Sequence, residues 1–522
     1  TTVGMADCIL TGPDASQILP NFKKDVSVLE ILHEAFKRNG DSIAQIETDT
    51  GRSVTFAEML QRIRTIAANL TKHGVTEGDT VVLCLDKCIE AYTLFIAVIF
   101  TGATAALWGT FFTKDDFQHH LKICRPKLIF CSEEIQDRMH LSEVPEAPTV
   151  FRDGGAFSDV SGEDFEVHKV KDIKRHFPLI AFTSGTTGIS KPVLIPNVTF
   201  QRYGYSFPSN CTQNFYVIAP FCWISSTITF VSSIIENYTM LLSVPNPVMQ
   251  LQLTQEYKAD TWMITPTMML ALLRVPNLAD YDLSSMKTII VGGGSLYLPV
   301  KKMFLQTLFN NKVNLHLLYG STEAGVFTSF HDVDPDVVRN SSSSGKLSAG
   351  SQMIVVSENG DRVGPGIEGE LRVKTDCMME KYPSYPEATS KAFDSDGWFR
   401  TGDLGYYDEE GFIYPLCRIS ELIKYKDNKL CVTQVEGLLV SYPAVFEAVV
   451  IGKPHPKDIE HPAAFIVLKP NVEISPAEIQ NFIDDRVSDN YKLRGGIHFI
   501  DVVPKLPNGK VIKHMLMKKF QE

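Results

Sequence analysis

The residues most able to do chemistry stand together between Leu179 and Lys191. An apolar run, Leu179–Phe182, leads directly into the loop Thr183-Ser184-Gly185-Thr186-Thr187-Gly188, and Lys191 follows three residues later. Glycine lets the backbone turn its N–H groups inward as an anion-binding nest, while hydroxyls add donors and lysine adds positive charge. The spacing differs from the Walker pattern, in which Gly-Lys is followed by Ser or Thr. The loop predicts a phosphate-binding site, with an ordinary polar turn as the alternative.

Alternating strand-like and helix-like segments position this loop. Two segments predict amphipathic helices, Val26–Lys37 and Ser53–Lys72, and in the second Thr55 and Glu58 form a capping-box pattern. The apolar runs predicted as strands are Asp79–Leu85, Leu128–Cys131, Leu179–Phe182, Phe215–Ala219, Thr261–Ile264 and Thr288–Val291. Such alternation over a long stretch indicates an α/β architecture with largely parallel sheets.

One uncharged segment, Ala91–Thr113, has a length that would permit a membrane helix. Gly102, Gly109 and several threonines interrupt it. We therefore predict a buried helix that runs into a buried strand, and no transmembrane segment.

The length of 522 residues predicts more than one domain. We expect a large N-terminal α/β domain of parallel-rich sheets and helices at residues 1–418. Its part at about 345–418 should be β-rich, because short segments alternate there with Gly-containing turns. Residues 419–522 should form a small, mobile α+β C-terminal domain. Ser341–Ser344, followed by Gly345, predicts a mobile loop.

Composition limits the function classes. Hydrophobic residues make up 44% and charged residues 21%, as in ordinary soluble globular proteins. The formal net charge of -11 argues against a nucleic-acid binder. The ten cysteines lack zinc-finger spacing, which predicts free thiols in a reducing compartment.

Further motifs follow the loop in a fixed order. They are Gly292-Gly-Gly-Ser-Leu296, Tyr319-Gly-Ser-Thr-Glu323, Trp398-Phe-Arg-Thr-Gly-Asp-Leu-Gly405, Arg418 with Glu421-Leu-Ile-Lys-Tyr-Lys426, and Pro507-Asn-Gly-Lys510. With Thr183–Gly188, this series resembles the adenylate-forming superfamily of acyl-CoA synthetases, 4-coumarate:CoA ligases, beetle luciferases and peptide-synthetase adenylation domains. The resemblance covers nearly the whole chain and is strongest for the luciferase and 4-coumarate:CoA ligase branch.

The resemblance implies an AMP-forming acid–thiol ligase that uses ATP and Mg²⁺ to activate a carboxylic acid as acyl-AMP and then transfers the acyl group to CoA. A carboxylate must attack the α-phosphate while pyrophosphate leaves, so positive charge and donors must be fixed in advance. By the resemblance, Glu323 binds Mg²⁺, Thr322 donates to the α-phosphate, and Lys510 bridges acyl and phosphate oxygens. Asp403 and Arg418 contact the ribose.

The complete set of implied site residues falls into four groups. The catalytic residues are Lys191, Thr322, Glu323 and Lys510, with Glu323 and Thr187 as metal ligands. The residues that bind ATP or AMP are Thr183, Ser184, Gly185, Thr186, Thr187, Gly188, Gly293, Gly294, Ser295, Tyr319, Gly320, Ser321, Asp403 and Arg418. The acid-pocket residues are Phe221, Trp223, Gly292 and Leu318. The CoA and hinge residues are Ser420, Lys424 and Asp427.

The substrate acid is described only by class. Aromatic residues at Phe221, Trp223, Tyr203, Tyr205 and Trp262 favour an apolar pocket for a fatty or aryl acid. The alternative is that the same side chains belong to the hydrophobic core.

Three positions depart from the family pattern. Pro192 follows Lys191 where the family has glycine, so the exit of the loop must differ because proline fixes φ and lacks an N–H. Asp427 stands where the family has a glycine that lets the pantetheine arm of CoA approach the backbone, and Ser420 occupies the hinge position, where Asp or Lys is usual. The nucleotide chemistry is therefore better supported than the thioester step.

Two alternatives to the ligase remain open: a luciferase-like adenylate oxygenase, and a nucleotide-binding or adenylate-only protein without the thioester step. The expected partners are small molecules, namely the acid, ATP and CoA, and we expect a monomer without nucleic acid. The chain ends in Lys-Lys-Phe-Gln-Glu522 rather than the peroxisomal Ser-Lys-Leu address. We expect a cytoplasmic location, or a peroxisomal one if the natural chain continues.

Overall fold

The computed structural model describes residues 2–4, 8–15, 23, 25–141, 149–152, 164–183, 190–204, 213–329, 338, 341–505 and 511–520. The strands in these ranges are β1 Thr2–Gly4, β2 Ile9–Thr11, β3 Ile43–Glu47, β4 Arg52–Thr55, β5 Thr80–Cys84, β6 Thr104–Leu107, β7 Leu128–Cys131, β8 Thr149–Arg152, β9 Leu179–Phe182, β10 Pro192–Ile195, β11 Asn214–Val217, β12 Thr239–Leu242, β13 Thr261–Ile264, β14 Thr288–Val291, β15 Asn314–Leu317, β16 Gly320–Ser321, β17 Gly325–Val326, β18 Thr328–Ser329, β19 Lys346–Leu347, β20 Ser351–Val356, β21 Arg362–Val363, β22 Gly369–Thr375, β23 Phe399–Tyr407, β24 Ile413–Arg418, β25 Ile423–Tyr425, β26 Asn428–Leu430, β27 Val445–His455, β28 Ile459–Leu468 and β29 Gly496–Phe499.

The helices alternate with these strands in the first two thirds of the chain. They are α1 Val28–Asn39, α2 Phe56–Lys72, α3 Ile89–Phe100, α4 Lys114–Cys124, α5 Glu133–Met139, α6 Asn197–Gly204, α7 Ile224–Glu236, α8 Pro247–Tyr257, α9 Pro266–Leu273, α10 Leu298–Phe309, α11 Pro386–Ala392, α12 Thr433–Ser441, α13 Pro476–Asp484 and α14 Lys513–Lys518. The alternation confirms the predicted α/β class.

Two largely parallel sheets form the body of the N-terminal region. The first sheet has the order β10-β9-β6-β5-β7-β8, and the second has the order β15-β14-β13-β11-β12-β3-β4. Only the edge pairs, β9 with β10 and β3 with β4, are antiparallel in these sheets. Parallel strands joined by helices require helices on both faces, so these strands are buried and read as continuous apolar runs.

The uncharged segment Ala91–Thr113 lies between these two sheets. Helix α3 contacts β5 and β6 of the first sheet and β3 of the second. Gly102, at a φ of +85°, then turns the chain into β6. Protein surrounds the helix, which explains its uncharged sequence, and the predicted helix followed by a strand is confirmed. Among the described residues, no helix combines the length and apolar character that a membrane crossing requires.

The region after residue 345 is built from antiparallel strands, as expected. Its third sheet has the order β1-β2-β20-β22-β23-β24, with β21 on β20. The predicted mobile loop at Ser341–Ser344 is wrong in its second half. Ser343 and Ser344 are buried, and both hydroxyls donate to the carbonyl of Ile413 at 2.9 Å and 3.2 Å. A run of serines in a sequence is typical of a solvated loop, but Ser343 and Ser344 hydrogen-bond the distant segment around Ile413.

The start of the second predicted helix is also wrong. Residues Arg52–Thr55 form strand β4, and helix α2 begins at Phe56 rather than Ser53. Thr55 is its N-cap, and the reciprocal hydrogen bonds of Thr55 and Glu58 complete the predicted capping box. The cap therefore marks the helix start, and the residues before it pair with β3.

The residues after 418 form a separate C-terminal sheet of order β26-β25-β28-β27, with β29 parallel to β28. Helices α10 and α12 pack together where this part meets the N-terminal region. The hydroxyl of Tyr297 donates to the buried carboxylate of Glu436, and the Val450 N–H donates to the same carboxylate at 2.7 Å. The Arg274 guanidinium stacks 3.6 Å from the ring centre of Phe446. These contacts hold the C-terminal part in one orientation.

The contact between Tyr297 and Glu436 yields a test of that orientation. Tyr297→Phe removes the only donor from the N-terminal region that the described residues supply to Glu436. Leaving a buried polar group without its partner costs roughly 1–3 kcal/mol. We expect a free energy of unfolding lower by that amount in urea denaturation, with faster proteolytic cleavage near residues 419–422. Tyr281→Phe, at a half-buried tyrosine away from this interface, is the control, and equal losses in both variants would contradict the assignment.

Candidate active site

Three loops that carry candidate residues leave the second sheet at one edge. Strands β11, β13, β14 and β15 run parallel, so their carboxyl ends meet there. The segment after β11 holds Phe221 and Trp223, the segment after β14 holds Gly292–Ser295, and the segment after β15 holds Leu318–Glu323. In open α/β sheets this edge is where ligands bind.

A tight hairpin holds Thr322 and Glu323. In strands β16 and β17, Gly320 pairs with Val326 and Ser321 pairs with Gly325, and residues 322–324 form the turn between them. A Cβ at Gly320 would lie 2.4 Å from the carbonyl oxygen of Gly325, so only glycine permits this close pairing. The buried hydroxyl of Tyr203 accepts from the Val326 N–H at 2.6 Å and supports the hairpin from below. The turn therefore projects Glu323 from a fixed base.

Tyr382 fixes the Glu323 carboxylate. Its hydroxyl donates to Oε1 of Glu323 at 2.7 Å, and the Met379 N–H donates to the Glu323 carbonyl at 2.6 Å. Burial, and then the negative charge of Glu323, raise the pKa of Tyr382 well above its ordinary value. The phenol stays a neutral donor, so it orients Glu323 without cancelling its charge. The Lys191 ammonium lies 5.7 Å from the centre of the same ring.

These side chains line one cleft of about 680 Å³. Its lining includes Lys191, Ser321, Glu323, Thr401 and Arg418, together with residues of helix α11. Residues that are far apart in sequence thus provide four cationic side chains, two carboxylates and several hydroxyls in one cavity. Such a cavity suits a polyanionic ligand with an associated divalent cation.

A second carboxylate is fixed beside the cleft by a cross-strand pair. Asp403 on β23 faces Arg418 on β24, and Arg418 Nε lies 3.0 Å from Asp403 Oδ1. The hydroxyl of Tyr319 donates to Oδ2 at 2.8 Å, and Arg418 Nη1 donates to the Thr401 carbonyl at 2.6 Å. Burial, with the nearby charge of Asp403, raises the pKa of Tyr319 well above its ordinary value. Because each carboxylate oxygen has further lone pairs, Asp403 can still accept from ligand hydroxyls.

The structure describes only the base of the predicted phosphate loop. Thr183 and Lys191 close a hairpin, because the Thr183 N–H donates to the Lys191 carbonyl at 2.9 Å and the Lys191 N–H donates to Thr183 Oγ1 at 3.0 Å. Pro192 starts the edge strand β10, where a missing N–H is tolerated. The predicted residues Ser184, Gly185, Thr186, Thr187, Gly188 and Lys510 lie outside the described residues.

A buried histidine supports the exit of that loop. His120 Nε2 lies 3.2 Å from the Ser190 carbonyl oxygen and 3.1 Å from the Ser190 hydroxyl. Burial lowers the pKa of His120 to about 4, so the imidazole is neutral near pH 7. Its contacts with Trp108, Phe112 and Phe182 explain that burial.

The adenine-pocket candidates form the turn that follows β14. Gly293 has a φ of +84°, a conformation that favours glycine, and Gly294 and Ser295 lead from it towards α10. Gly292 is adjacent to Leu318, whose N–H donates to the Val291 carbonyl at 2.8 Å. The two predicted segments are thus neighbours at the sheet edge.

The aromatic acid-pocket candidates separate into two kinds. Phe221 packs edge-on against Tyr92 at 5.1 Å, and half-buried Trp223 is the N-cap of α7. Trp262 is fully buried, and its Nε1 donates to Thr254 Oγ1 at 2.9 Å, so it belongs to the core. Tyr203 is buried under the β16–β17 hairpin, and Tyr205 lies outside the described residues. The core interpretation therefore holds for Trp262 and Tyr203, and Phe221 is also buried in the hydrophobic core.

The hinge candidates lie away from the cleft lining. Ser420 is in a 3-10 turn, Ile419–Glu421, directly after Arg418. Lys424 lies on β25, where its N–H donates to Glu460 Oε2 at 2.7 Å. Asp427 is exposed in the two-residue turn between β25 and β26. Lys426, at a φ of +52°, takes the left-handed position in that turn, so the backbone at Asp427 does not require glycine.

Tyr382 and Tyr385 are the site residues that the sequence did not reveal. Tyr385 lines the cleft beside Tyr382 and hydrogen-bonds His119 of α4. Both follow Lys381 in a stretch that alternates tyrosine with proline, a pattern that by itself predicts only a turn. The contact of Tyr382 with Glu323 depends on how the third sheet is placed against the second, which a local pattern does not encode.

Comparison with known proteins agrees with this geometry. A family model described as AMP-binding enzyme matches residues 32–383, and one described as AMP-binding enzyme C-terminal domain matches residues 434–510. Luciferin 4-monooxygenase of Photuris pensylvanica is 28% identical over 98% of this chain and 98% of its own length. 4-Coumarate–CoA ligase 4 of Arabidopsis thaliana is 27% identical over 94% of this chain and 91% of its own length.

Solved structures show the same fold. ATP-bound MatB from Rhodopseudomonas palustris superposes with a TM-score of 0.85, at 23% identity, over 95% of this chain and 99% of its own. The luciferase-like enzyme from the nonluminescent mealworm Zophobas morio superposes with a TM-score of 0.71, at 28% identity, over 79% of this chain and 99% of its own. The expected large N-terminal and small C-terminal regions are thus confirmed as a known architecture.

Proposed function

The chain belongs to the AMP-binding enzyme family, and we propose that it activates a fatty or aryl carboxylic acid with ATP and then transfers the acyl group to CoA. In the first step a carboxylate oxygen forms a bond to the α-phosphorus of ATP, and the bond to pyrophosphate breaks. In the second step the CoA thiol forms a thioester, gives up its proton and releases AMP. The observation that carries the proposal is the convergence of Lys191, Glu323 and Arg418 on one cleft.

The described side chains fit the electrostatic demands of the first step. Attack of one anion on another needs fixed positive charge, which Lys191 and Arg418 supply at the cleft wall. The carboxylate of Glu323, a hard oxygen ligand whose orientation Tyr382 fixes, would hold the Mg²⁺ that accompanies ATP. Thr322 in the same turn would donate to the α-phosphate. By resemblance to the family, Thr187 would share the metal, and Lys510 would bridge the acyl and phosphate oxygens.

The nucleoside would lie against the edge of the second and third sheets. Asp403, fixed by Arg418 and Tyr319, would accept from the ribose hydroxyls. The turn Gly292–Ser295 would line the adenine, since its glycines let a flat ring approach the backbone closely. The acid would lie beyond, near Phe221, Trp223 and Leu318, whose apolar surfaces favour a fatty or aryl group.

A luciferase-like oxygenase is the second candidate. The match to luciferin 4-monooxygenase over 98% of both chains favours it. Both candidate enzymes form the acyl-adenylate and differ in the next reactant. In the ligase CoA attacks the adenylate, whereas in the oxygenase the adenylate reacts with O₂. A third outcome, an adenylate-only enzyme, would show the first step alone.

The discriminating experiment measures pyrophosphate release over a panel of fatty and aryl acids with MgATP. Parallel samples with CoA are assayed for thioester, and samples in air are assayed for light.

Glu323→Gln should lower acid-dependent pyrophosphate release by at least about 100-fold, because charge stabilisation at a reacting centre is worth about that much. The exposed neighbour Glu380→Gln is the control. Wild-type rates in Glu323→Gln would show that this carboxylate is not the metal ligand.

The ribose assignment makes its own prediction. Asp403→Ala should raise the KM for ATP with a smaller change in kcat, because the contact exists in both ground and transition states. Asp361→Ala removes an exposed aspartate at the turn before β21 of the same sheet and should leave the KM for ATP unchanged. An Asp403→Ala enzyme with altered KM only for the acid would contradict the assignment.

Asp427 decides how well the second step works. We propose that it slows thioester formation, since bulk and charge at a position where the family has glycine would oppose the pantetheine arm. Asp427→Gly should raise the rate of CoA transfer from supplied acyl-AMP and leave pyrophosphate release unchanged. Asp427→Asn separates the two causes because it removes charge and keeps bulk. Fast CoA transfer by the wild type, unchanged in Asp427→Gly, would show that the exposed turn leaves the CoA path open.

A further inference from the structure

Two histidines and an aspartate meet at the tip of the β27–β28 hairpin. Asp458 Oδ2 lies 2.8 Å from His461 Nε2 and 3.6 Å from His455 Nδ1. The two imidazole rings stack with their centroids 3.8 Å apart, so their edges face the same carboxylate. One nitrogen or oxygen atom from each of the three residues lies within 4.8 Å of the others. All three side chains are partly exposed, so an ion can reach them.

These distances fit a transition-metal site. Zinc binds histidine nitrogen and carboxylate oxygen at roughly 2.0–2.2 Å, so tetrahedral ligand atoms stand roughly 3.4 Å apart. The separation of 3.6 Å between His455 and Asp458 is close to that value, and the 2.8 Å separation between His461 and Asp458 is a hydrogen bond that a metal ion would replace. Imidazole and carboxylate together favour zinc and similar divalent ions over Mg²⁺, which prefers oxygen ligands alone.

The backbone fixes the tautomer of His455. The Asp458 and Lys457 N–H groups donate to His455 Nδ1 at 3.1 Å and 3.4 Å, so this nitrogen is deprotonated. A metal ion bound at Nδ1 would replace these two hydrogen bonds. The residue after Asp458, Ile459, has a φ of +69°, which is a strained conformation for a β-branched side chain. This strain turns the chain so that Asp458 and His461 reach the same point, and strain of this kind concentrates at functional sites.

A second cluster of possible metal ligands in the described residues differs from the one at the hairpin tip. Glu47, Cys88 and Glu90 also come within reach of one another, but Arg52 already fills that site. Its guanidinium hydrogen-bonds both glutamates, at 2.8 Å and 2.7 Å. At the hairpin tip the Asp458 carboxylate is hydrogen-bonded by His461, and the nearby Lys426 ammonium lies over the ring of Tyr425 at 5.0 Å.

We propose that His455, Asp458 and His461 bind a divalent transition-metal ion, with zinc as the best-fitting ion. The open fourth position would be taken by water. The site adjoins the β25–β26 hairpin, because the Lys426 N–H donates to the Asp458 carbonyl at 2.9 Å and Tyr425 pairs with Ile459. Bound metal would therefore stiffen the loop that supports the turn carrying Asp427. The site is distinct from the nucleotide cleft and does not depend on the proposed reaction.

The test uses the full chain, stripped with a chelator and titrated with ZnSO₄ by calorimetry in the absence of ATP. His455→Asn places an oxygen near the position of Nδ1, and His461→Gln places an amide nitrogen near that of Nε2. Both variants can keep the hydrogen bonds of the loop while removing a metal-binding nitrogen. Each should weaken zinc binding by at least about 10-fold. Zinc should also raise the Tm of the wild type and not that of the double variant.

The control is His514→Asn, which removes an exposed histidine of α14 outside the cluster and should bind zinc like the wild type. The double variant also measures background binding by the ten cysteines. If the wild type binds no more zinc than the double variant, the cluster is only a hydrogen-bonded hairpin tip and the proposal fails. Equal weakening by His514→Asn would likewise overturn it.

Discussion

The parallel direction of β11, β13, β14 and β15 is the constraint on which the site depends. Each strand needs a crossover helix to return, so every carboxyl end falls on one edge of the second sheet and every amino end on the other. The segments that follow these strands need not pair in the sheet, so they can differ in length and carry polar side chains. The parallel order of the sheet therefore fixes the edge at which the Glu323 hairpin and the Gly292–Ser295 turn lie.

Two neutral tyrosines then place two charged carboxylates. Tyr382 donates to Glu323, and Tyr319 donates to Asp403. In both cases burial raises the pKa of the phenol, so the donor stays protonated and adds no charge. A lysine in either place would orient the carboxylate equally well, but it would neutralise Glu323 before a cation could bind. The pairing thus leaves the negative charge of Glu323 available in the cleft, while Arg418 forms an ion pair with Asp403.

Sequence patterns predict those features of the fold that depend on short-range backbone preferences and on burial. The capping box of Thr55 and Glu58, the break at Gly102 and the strand Thr288–Val291 all follow from backbone preferences and burial, and the structure contains each of them. Ser343 and Ser344 look like a flexible loop because their hydrogen-bond acceptor, the Ile413 carbonyl, lies seventy residues away. Tyr382 was not predicted for the same reason, since its partner Glu323 is distant in sequence. Trp262 was ambiguous because a hydrophobic core and an apolar pocket favour the same type of side chain. Contacts between sheets determine the environment of such residues, whereas residue composition does not reveal it.

The same contacts bear on the mobility predicted for the C-terminal domain. Arg418 is tied on both sides, to the Asp403 carboxylate and to the Thr401 carbonyl, at the end of a paired strand. A rotation that began before Arg418 would break that ion pair and the register of β23 with β24. The next residues, Ile419–Glu421, form only a single 3-10 turn, and β25 starts at Ile423. The chain can therefore change direction between Arg418 and Ile423 at the cost of few hydrogen bonds. A pivot there would leave the ion pair of Arg418 and Asp403 intact while the contact between Tyr297 and Glu436 opens.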